Sequence, residues 1–300
     1  MKGKKNKMKR FNRCVASVIA SAGLVMLSAP ASHALEGAEA APVNEESRSV
    51  VALSLGKAGQ FGDCTGTLLN ERWVISARHC FALEDPSGGK ARVGQAPDTA
   101  EYDIDGWVFA PSGDIALAHL AQQVEDVSAA KLPEKEITVG AEGRLYGWSS
   151  SSKLAAEGKL PSSKISVVEI FGDAKSKQTK LAHVSIVDGG GIQPGDSGGP
   201  LFVDGKLAGV ATAGAVSENP DKPAPGGFYT TVIEQKKWIE DTIKGEGEGV
   251  LQTEAADLPE DIAPKQHGGR APWYGAGAVV LLAIIAAYSR LSNKKQGAKS

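Results

Sequence analysis

Short apolar runs alternate with turn-forming clusters along most of this chain. The runs are Val50–Leu55, Thr67–Leu69, Trp73–Ser76, Ile115–Leu120, Lys164–Ile170, Leu181–Val187, Leu201–Val203 and Leu207–Ala213. Gly, Pro, Asp or Ser cluster between them. Short runs bounded in this way predict β-strands, and many of them in succession predict an all-β sandwich or barrels. The one helical pattern comes near residue 240. There Val232, Ile239 and Ile243, with Trp238 beside them, share a face, and Lys and Glu occupy the other. No internal repeat interrupts this plan.

The two ends of the chain have a different pattern. Residues 1–34 begin with a basic stretch ending at Arg13, continue with an apolar run from Val15 to Leu27, and close on Ser32-His33-Ala34. Basic, apolar and small-residue regions in that order predict a secretory signal peptide. An uncleaved anchor is the alternative, but the run is shorter than the ~20 residues that span a bilayer. A second run, Pro272 to Tyr288, carries no charge and is edged by Trp273, Tyr274 and Tyr288. It predicts a transmembrane helix over 272–288, since aromatic edges suit a membrane interface. A buried core helix is the alternative, though Gly275 and Gly277 would weaken it. Arg290, Lys294, Lys295 and Lys299 follow. Basic residues after a span stay cytoplasmic, which would leave the preceding domain outside. Residues 245–271, rich in Gly and acidic residues, have the composition of a flexible linker.

Charge sharpens this division. The whole chain has 33 basic and 35 acidic residues, for a net charge of −2. Seven of the basic residues precede the first acid, Glu36, which leaves 26 basic against 35 acidic from residue 35 onward. An acidic exported part argues against a nucleic-acid partner. Apolar residues make up 42% of the chain and charged residues 23%, which excludes a wholly disordered chain and a many-span membrane protein.

Two cysteines, Cys64 and Cys80, remain after the signal. An even pair in an exported protein reads as a disulfide closing a small loop, with two free thiols as the alternative. The chemistry centres on Gly195-Asp196-Ser197-Gly198-Gly199-Pro200. A Ser between glycines sits in a tight turn that can expose its oxygen, and nearby backbone N–H groups can converge on an oxyanion. The hydroxyl is a poor nucleophile without a base. His79, in Ser76-Ala77-Arg78-His79-Cys80, is the candidate base, placed after a strand-like run and beside the cysteine pair. The base needs an orienting carboxylate. Asp114, in Asp114-Ile115-Ala116-Leu117, lies against apolar residues and would be partly buried. Each residue alone has a structural reading: a turn serine, a packing histidine, an N-cap aspartate. His119 and His183 fall in strand-like runs, and no histidine has metal-ligand spacing.

With these motifs in the order His, Asp, Ser, the chain resembles a trypsin-like, chymotrypsin-fold serine peptidase over about residues 35–244. The resemblance implies two antiparallel β-barrels (residues 35–130, then 131–244 with the helix) and a site between them. It implies His79, Asp114 and Ser197 as a catalytic triad and the Gly195 and Ser197 N–H groups as the oxyanion hole. No metal or organic cofactor follows, and the partner is a protein or peptide substrate.

The sequence departs from the family at three points. Arg78 stands where Ala is usual, as a modifier of substrate binding or as a surface residue. A pocket-bracing disulfide is absent, with Gln193 in place of one cysteine. The resemblance puts Gly191 at the pocket floor and Gly214 and Gly227 on its walls. A floor without an acid disfavours Lys or Arg, and an open glycine slot would suit a large apolar or aromatic side chain. Leu35-Glu36-Gly37-Ala38 aligns with the family's mature start, so signal removal would free the Leu35 amine to pair with Asp196. The alternative is cleavage nearby, with Asp196 satisfied locally. The expectation is therefore an exported, membrane-tethered serine endopeptidase. The rivals are a catalytically silent binding module of the same fold and an esterase using the same three residues.

Overall fold

A computed structural model describes residues 37–56, 59–82, 88–126, 128–172, 179–215 and 224–245. The expected signal peptide (1–34), most of the linker, the transmembrane helix (272–288) and the basic tail (289–300) lie outside these residues, as does Leu35. Among the described residues no helix is long and apolar enough to cross a membrane.

The strands follow in order: β1 (Glu39–Ala40), β2 (Val50–Ser54), β3 (Cys64–Leu68), β4 (Trp73–Ser76), β5 (Lys90–Gln95), β6 (Asp98–Phe109), β7 (Ala116–Leu120), β8 (Glu142–Tyr146), β9 (Pro161–Gly172), β10 (Lys180–Ile186), β11 (Pro200–Val203), β12 (Lys206–Gly214) and β13 (Gly226–Thr231). Strands β2-β3-β4-β7-β6-β5 close into one antiparallel barrel. The second sheet runs β9-β10-β13-β12-β11-β8 and closes through the β8–β9 pairing, with β1 added beside β9. All ladders are antiparallel, as the short runs without crossover helices require.

The predicted runs at 50–55, 73–76, 115–120, 201–203 and 207–213 coincide with β2, β4, β7, β11 and β12. Strands β2, β3, β4 and β11 are buried at every position. That explains the apolar runs of β2, β4 and β11: the inner face fills the barrel, and the outer face is covered by the rest of the fold.

Glu39 and Ala40 pair with Ser162 and Pro161 of β9, so the first described strand belongs to the second barrel's sheet. The predicted helix exists as Lys236–Lys244 after a 3-10 turn at Ile233–Gln235. Val232 and Ile239 are fully buried, and Trp238 and Ile243 pack against the same core. The helix therefore does not stand apart with the second barrel: the cluster that takes in Ile239 includes Leu53, Leu68, Trp73 and Leu117 of the first.

Cys64 and Cys80 form a disulfide across a sequence separation of 16. It ties the start of β3 to the helix Arg78–Ala82, which carries His79. Closing a loop of this size constrains the unfolded chain by about 3 kcal/mol. Replacing both cysteines with Ser is expected to lower unfolding stability by roughly that amount, measured by denaturant titration of the oxidised protein and the variant.

Candidate functional site

His79 enters the cleft because β4 ends at Ser76 and the chain turns directly into the helix Arg78–Ala82. Its backbone N–H donates to Asp114 Oδ1 at 2.9 Å, and Nδ1 lies 2.7 Å from Asp114 Oδ2. Both side chains are largely covered, at 19% and 10% exposure. Burial alone would lower the imidazole pKa, but the Asp114 hydrogen bond and charge outweigh it and raise the pKa above the usual 6.5. The paired carboxylate thus occupies Nδ1 and leaves Nε2 facing away from it.

Asp114 is fixed from behind. Ile115, next to it, is fully buried. Gly113 has φ +79 and sits against the Thr179 and Thr230 methyls, where a side chain would not fit. Ser112 Oγ accepts from Thr179 Oγ1 at 2.9 Å and from Gln235 Nε2 at 2.8 Å. The loop carrying Asp114 is therefore held by the second barrel and by the turn that leads into the C-terminal helix.

The Gly195–Gly199 turn presents Ser197. Gly198 has φ +79, and a Cβ there would overlap Ser76 Oγ and the Thr65 carbonyl. The Ser197 carbonyl accepts from Thr65 N at 2.8 Å. Gly198 N donates to Ala211 O at 2.8 Å, Gly199 N to Asp196 O at 3.0 Å and Asp196 N to Gln193 O at 3.1 Å. Among the described residues, the Gly195 and Ser197 N–H groups have no acceptor. Two unpaired donors beside a Ser hydroxyl can receive an oxyanion. The structure brings His79 and Asp114 into contact. No hydrogen bond joins Ser197 Oγ to His79, a contact that commonly tightens only when substrate binds.

Asp196 lies on the other side of the turn and is buried. Its Oδ2 accepts from Gln193 N at 3.0 Å and its Oδ1 from Ser149 N at 3.4 Å. Burial pushes the carboxyl up to about 7, against the lowering effect of those two N–H groups. Gly147 must lack a side chain because a Cβ there would run into this carboxylate. Its expected partner, the Leu35 amine, lies outside the described residues. Gly37, the first described residue, packs on the Gly189 carbonyl.

The glycine slot differs from the open cavity expected of Gly191, Gly214 and Gly227. Gly214 pairs with Gly227 across β12 and β13. Ile192, adjacent to Gly191, fills the space left by the two missing side chains. Its Cδ1 lies 2.6 Å from where a Gly227 Cβ would be, and its Cγ2 lies 3.9 Å from that of Gly214. Asp204 and one oxygen of Asp188 are engaged by lysines outside the slot, by a side chain and a backbone N–H respectively. Asp188 Oδ2 accepts from Lys164 N at 2.6 Å, and Asp204 lies 4.0 Å from Lys135 Nζ.

The sequence reading missed Thr65 and Ser76. Thr65 Oγ1 donates to Gly195 O at 2.9 Å and accepts from Trp148 N at 2.9 Å. Ser76 Oγ donates to Thr65 O at 2.7 Å. Their sequence signal is two hydroxyls inside fully buried strands, where each must find a partner. Arg78 lies 4.7 Å over the Phe109 ring and donates to Ala110 O at 3.5 Å. His119 pairs with Asp105 at 2.6 Å, and His183 stacks on Phe228. Among the described residues, no group of three or more His, Cys, Asp or Glu is placed to hold a metal ion.

Comparison with known proteins gives a consistent picture. The family profile described as Trypsin matches residues 36–239. A Corynebacterium glutamicum (strain R) protein described as an uncharacterised peptidase is 28% identical over 226 residues, covering 75% of this chain and 79% of the relative. Snake venom serine protease HS114 of Bothrops jararaca is 29% identical over 240 residues, 71% of this chain and 89% of the relative. Trypsin of Phaedon cochleariae is 29% identical over 201 residues, 59% and 77% respectively.

Two outcomes test the geometry. Asp114→Ala removes both influences that raise the His79 pKa, so the imidazole should titrate lower than in the intact protein when followed by NMR. Thr65→Val leaves the Trp148 N–H and the Gly195 carbonyl without a partner. It should cost about 1–3 kcal/mol in unfolding stability, measured with denaturant.

Proposed function

The chain belongs to the trypsin family and is a serine-type peptidase, and from that premise we propose that it is an exported endopeptidase held at the outer face of a membrane, with Ser197, His79 and Asp114 as its catalytic triad. The observation that carries the reading is the pairing of a half-buried His79, held by the buried Asp114, with two acceptor-free N–H groups in the Ser197 turn.

In this reading, Ser197 Oγ attacks the scissile carbonyl carbon and its proton passes to His79 Nε2. Asp114, bonded to Nδ1, keeps the ring oriented and stabilises the imidazolium. The carbonyl oxygen becomes an oxyanion and takes hydrogen bonds from Gly195 N and Ser197 N, each worth about a hundredfold or more in rate. His79 returns the proton to the leaving nitrogen, the C–N bond breaks and an acyl ester remains on Ser197. Water then loses a proton to His79, attacks the ester and releases the carboxylic acid, and the Ser197 hydroxyl is restored. These groups suffice for the chemistry.

Export and tethering rest on the sequence pattern of residues 1–34 and 272–288. Signal removal after Ala34 frees the Leu35 amine to pair with Asp196. Support comes from the placement of Gly37 on Gly189 and from the buried Asp196 carboxylate, which has only N–H partners.

The reading has three tests. A fluorophosphonate probe should label the folded full chain but not its Ser197→Ala variant, and amide substrates should be hydrolysed. No labelling would favour a silent binding module, and ester-only turnover an esterase. Because the base must be neutral, kcat/KM should rise with pH through an apparent pKa above 6.5. The exported protein should begin at Leu35 on N-terminal sequencing, and any other start overturns the Leu35–Asp196 pairing.

A further inference from the structure

Three stretches of backbone run beside the Ser197 turn. The Ser197 turn is tied to β12 through Gly198 N to Ala211 O and Ala211 N to Gly199 O, at 2.8 and 2.9 Å. Gly214 lies three residues further along that strand, within about 10 Å of the tie at ~3.3 Å per residue. Gly227 faces it on β13. The third wall is residues 191–193, leading into the Ser197 turn. Ile192 N donates to Ala224 O at 2.9 Å, and Ala224 N donates to Ile192 O at 3.2 Å. This two-way bridge clamps the backbone on both sides of Ile192.

The clamp decides what the slot can hold. Ile192 is β-branched and stiff at χ1. At 8% exposure it packs its two methyl ends onto the bare faces of Gly227 and Gly214. The Ala224 methyl closes the same space, 3.2 Å from where a Gly214 Cβ would be. The glycines create room and Ile192 takes most of it back. The groups set against the two glycines are alkyl, from Ile192 and Ala224, while Asp204 and Asp188 Oδ2 are engaged elsewhere.

We propose that Ile192 is a specificity-determining residue that shortens the slot, so that the enzyme cleaves after small aliphatic residues such as Ala and Val and discriminates against Phe, Lys and Arg. The proposal rests on the reading of Ser197 as the nucleophile and names the substrate class of that same site. A seated methylene is worth roughly tenfold or more in such a pocket. A long cation placed against Ile192 would lose its water without gaining a counter-charge.

The test uses the full chain with succinyl-Ala-Ala-Pro-Xaa p-nitroanilides, where Xaa is Ala, Val, Phe or Lys. The kcat/KM for Ala or Val should exceed that for Phe and Lys by at least about tenfold. Ile192→Gly should reopen the slot and raise Phe relative to Ala by a similar factor. Ile192→Ala gives the same direction of change if the glycine variant fails to fold. A wild-type protein that cleaves best after Phe or Lys, or an Ile192→Ala variant with an unchanged ranking, overturns the proposal. Fluorophosphonate labelling separates the two failures. A labelled protein lacking the preference overturns the role of Ile192 alone, whereas a protein that neither labels nor hydrolyses any of the four overturns the peptidase reading and this one with it.

Discussion

Thr65 sits where the two barrels meet, fully buried, and every polar atom it owns is engaged. Its N–H holds the Ser197 carbonyl, its hydroxyl holds the Gly195 carbonyl and receives Trp148 N–H, and its own carbonyl receives Ser76 Oγ. Ser76 stands three residues before His79, and Cys64, beside Thr65, is bonded to Cys80, beside His79. The distance between base and candidate nucleophile is therefore set through one buried residue and its disulfide neighbour. Catalytic geometry tolerates errors of only about half an ångström, so short, fully satisfied links of this kind suit the task better than long flexible ones.

Two aspartates near the cleft show how much the surroundings decide. Asp114 has a titratable partner, and its charge is used to hold and polarise His79. Asp196 is more deeply buried and receives only backbone N–H groups, so its carboxyl is pushed up to about 7. The same side chain thus serves as a partner for His79 at one position and is disfavoured as an anion by burial at the other. An ammonium group brought to Asp196 would remove that penalty, which gives the proposed Leu35 pairing its energetic sense.

Much of this was legible in the sequence. The strands buried on both faces wrote themselves as apolar runs, and the glycines at 195 and 198 marked a turn that no other residue fits. The cysteine pair and the helix face of Val232 and Ile239 were equally plain. The reading missed β5, β6, β8 and β13, because Lys90–Gln95, the first half of Asp98–Phe109 and Glu142–Tyr146 are polar on the side that meets solvent, and Gly226–Thr231 begins with two glycines. It treated glycines at 214 and 227 as open space because vacancy is local information, whereas the residue that fills it arrives from another segment. Thr65 was invisible for the same reason: its importance lies in four partners distributed across the chain.

The packing of the helix at Lys236–Lys244 bears on how this domain comes apart. Val232 and Ile239 share one apolar cluster with Val51 and Trp107 of the first barrel and with Phe202, Leu207 and Val210 of the second. A domain with two barrels invites the picture of two folding units joined by a cleft that breathes. The shared cluster qualifies that picture: the second barrel keeps an apolar cluster of its own around Leu145, Val184 and Leu201, but parting the barrels would still expose the apolar surface they hold in common. The C-terminal helix thus joins a cluster that it shares with residues of the first barrel. Each barrel therefore draws part of its stability from the shared cluster, which is complete only once the helix has docked.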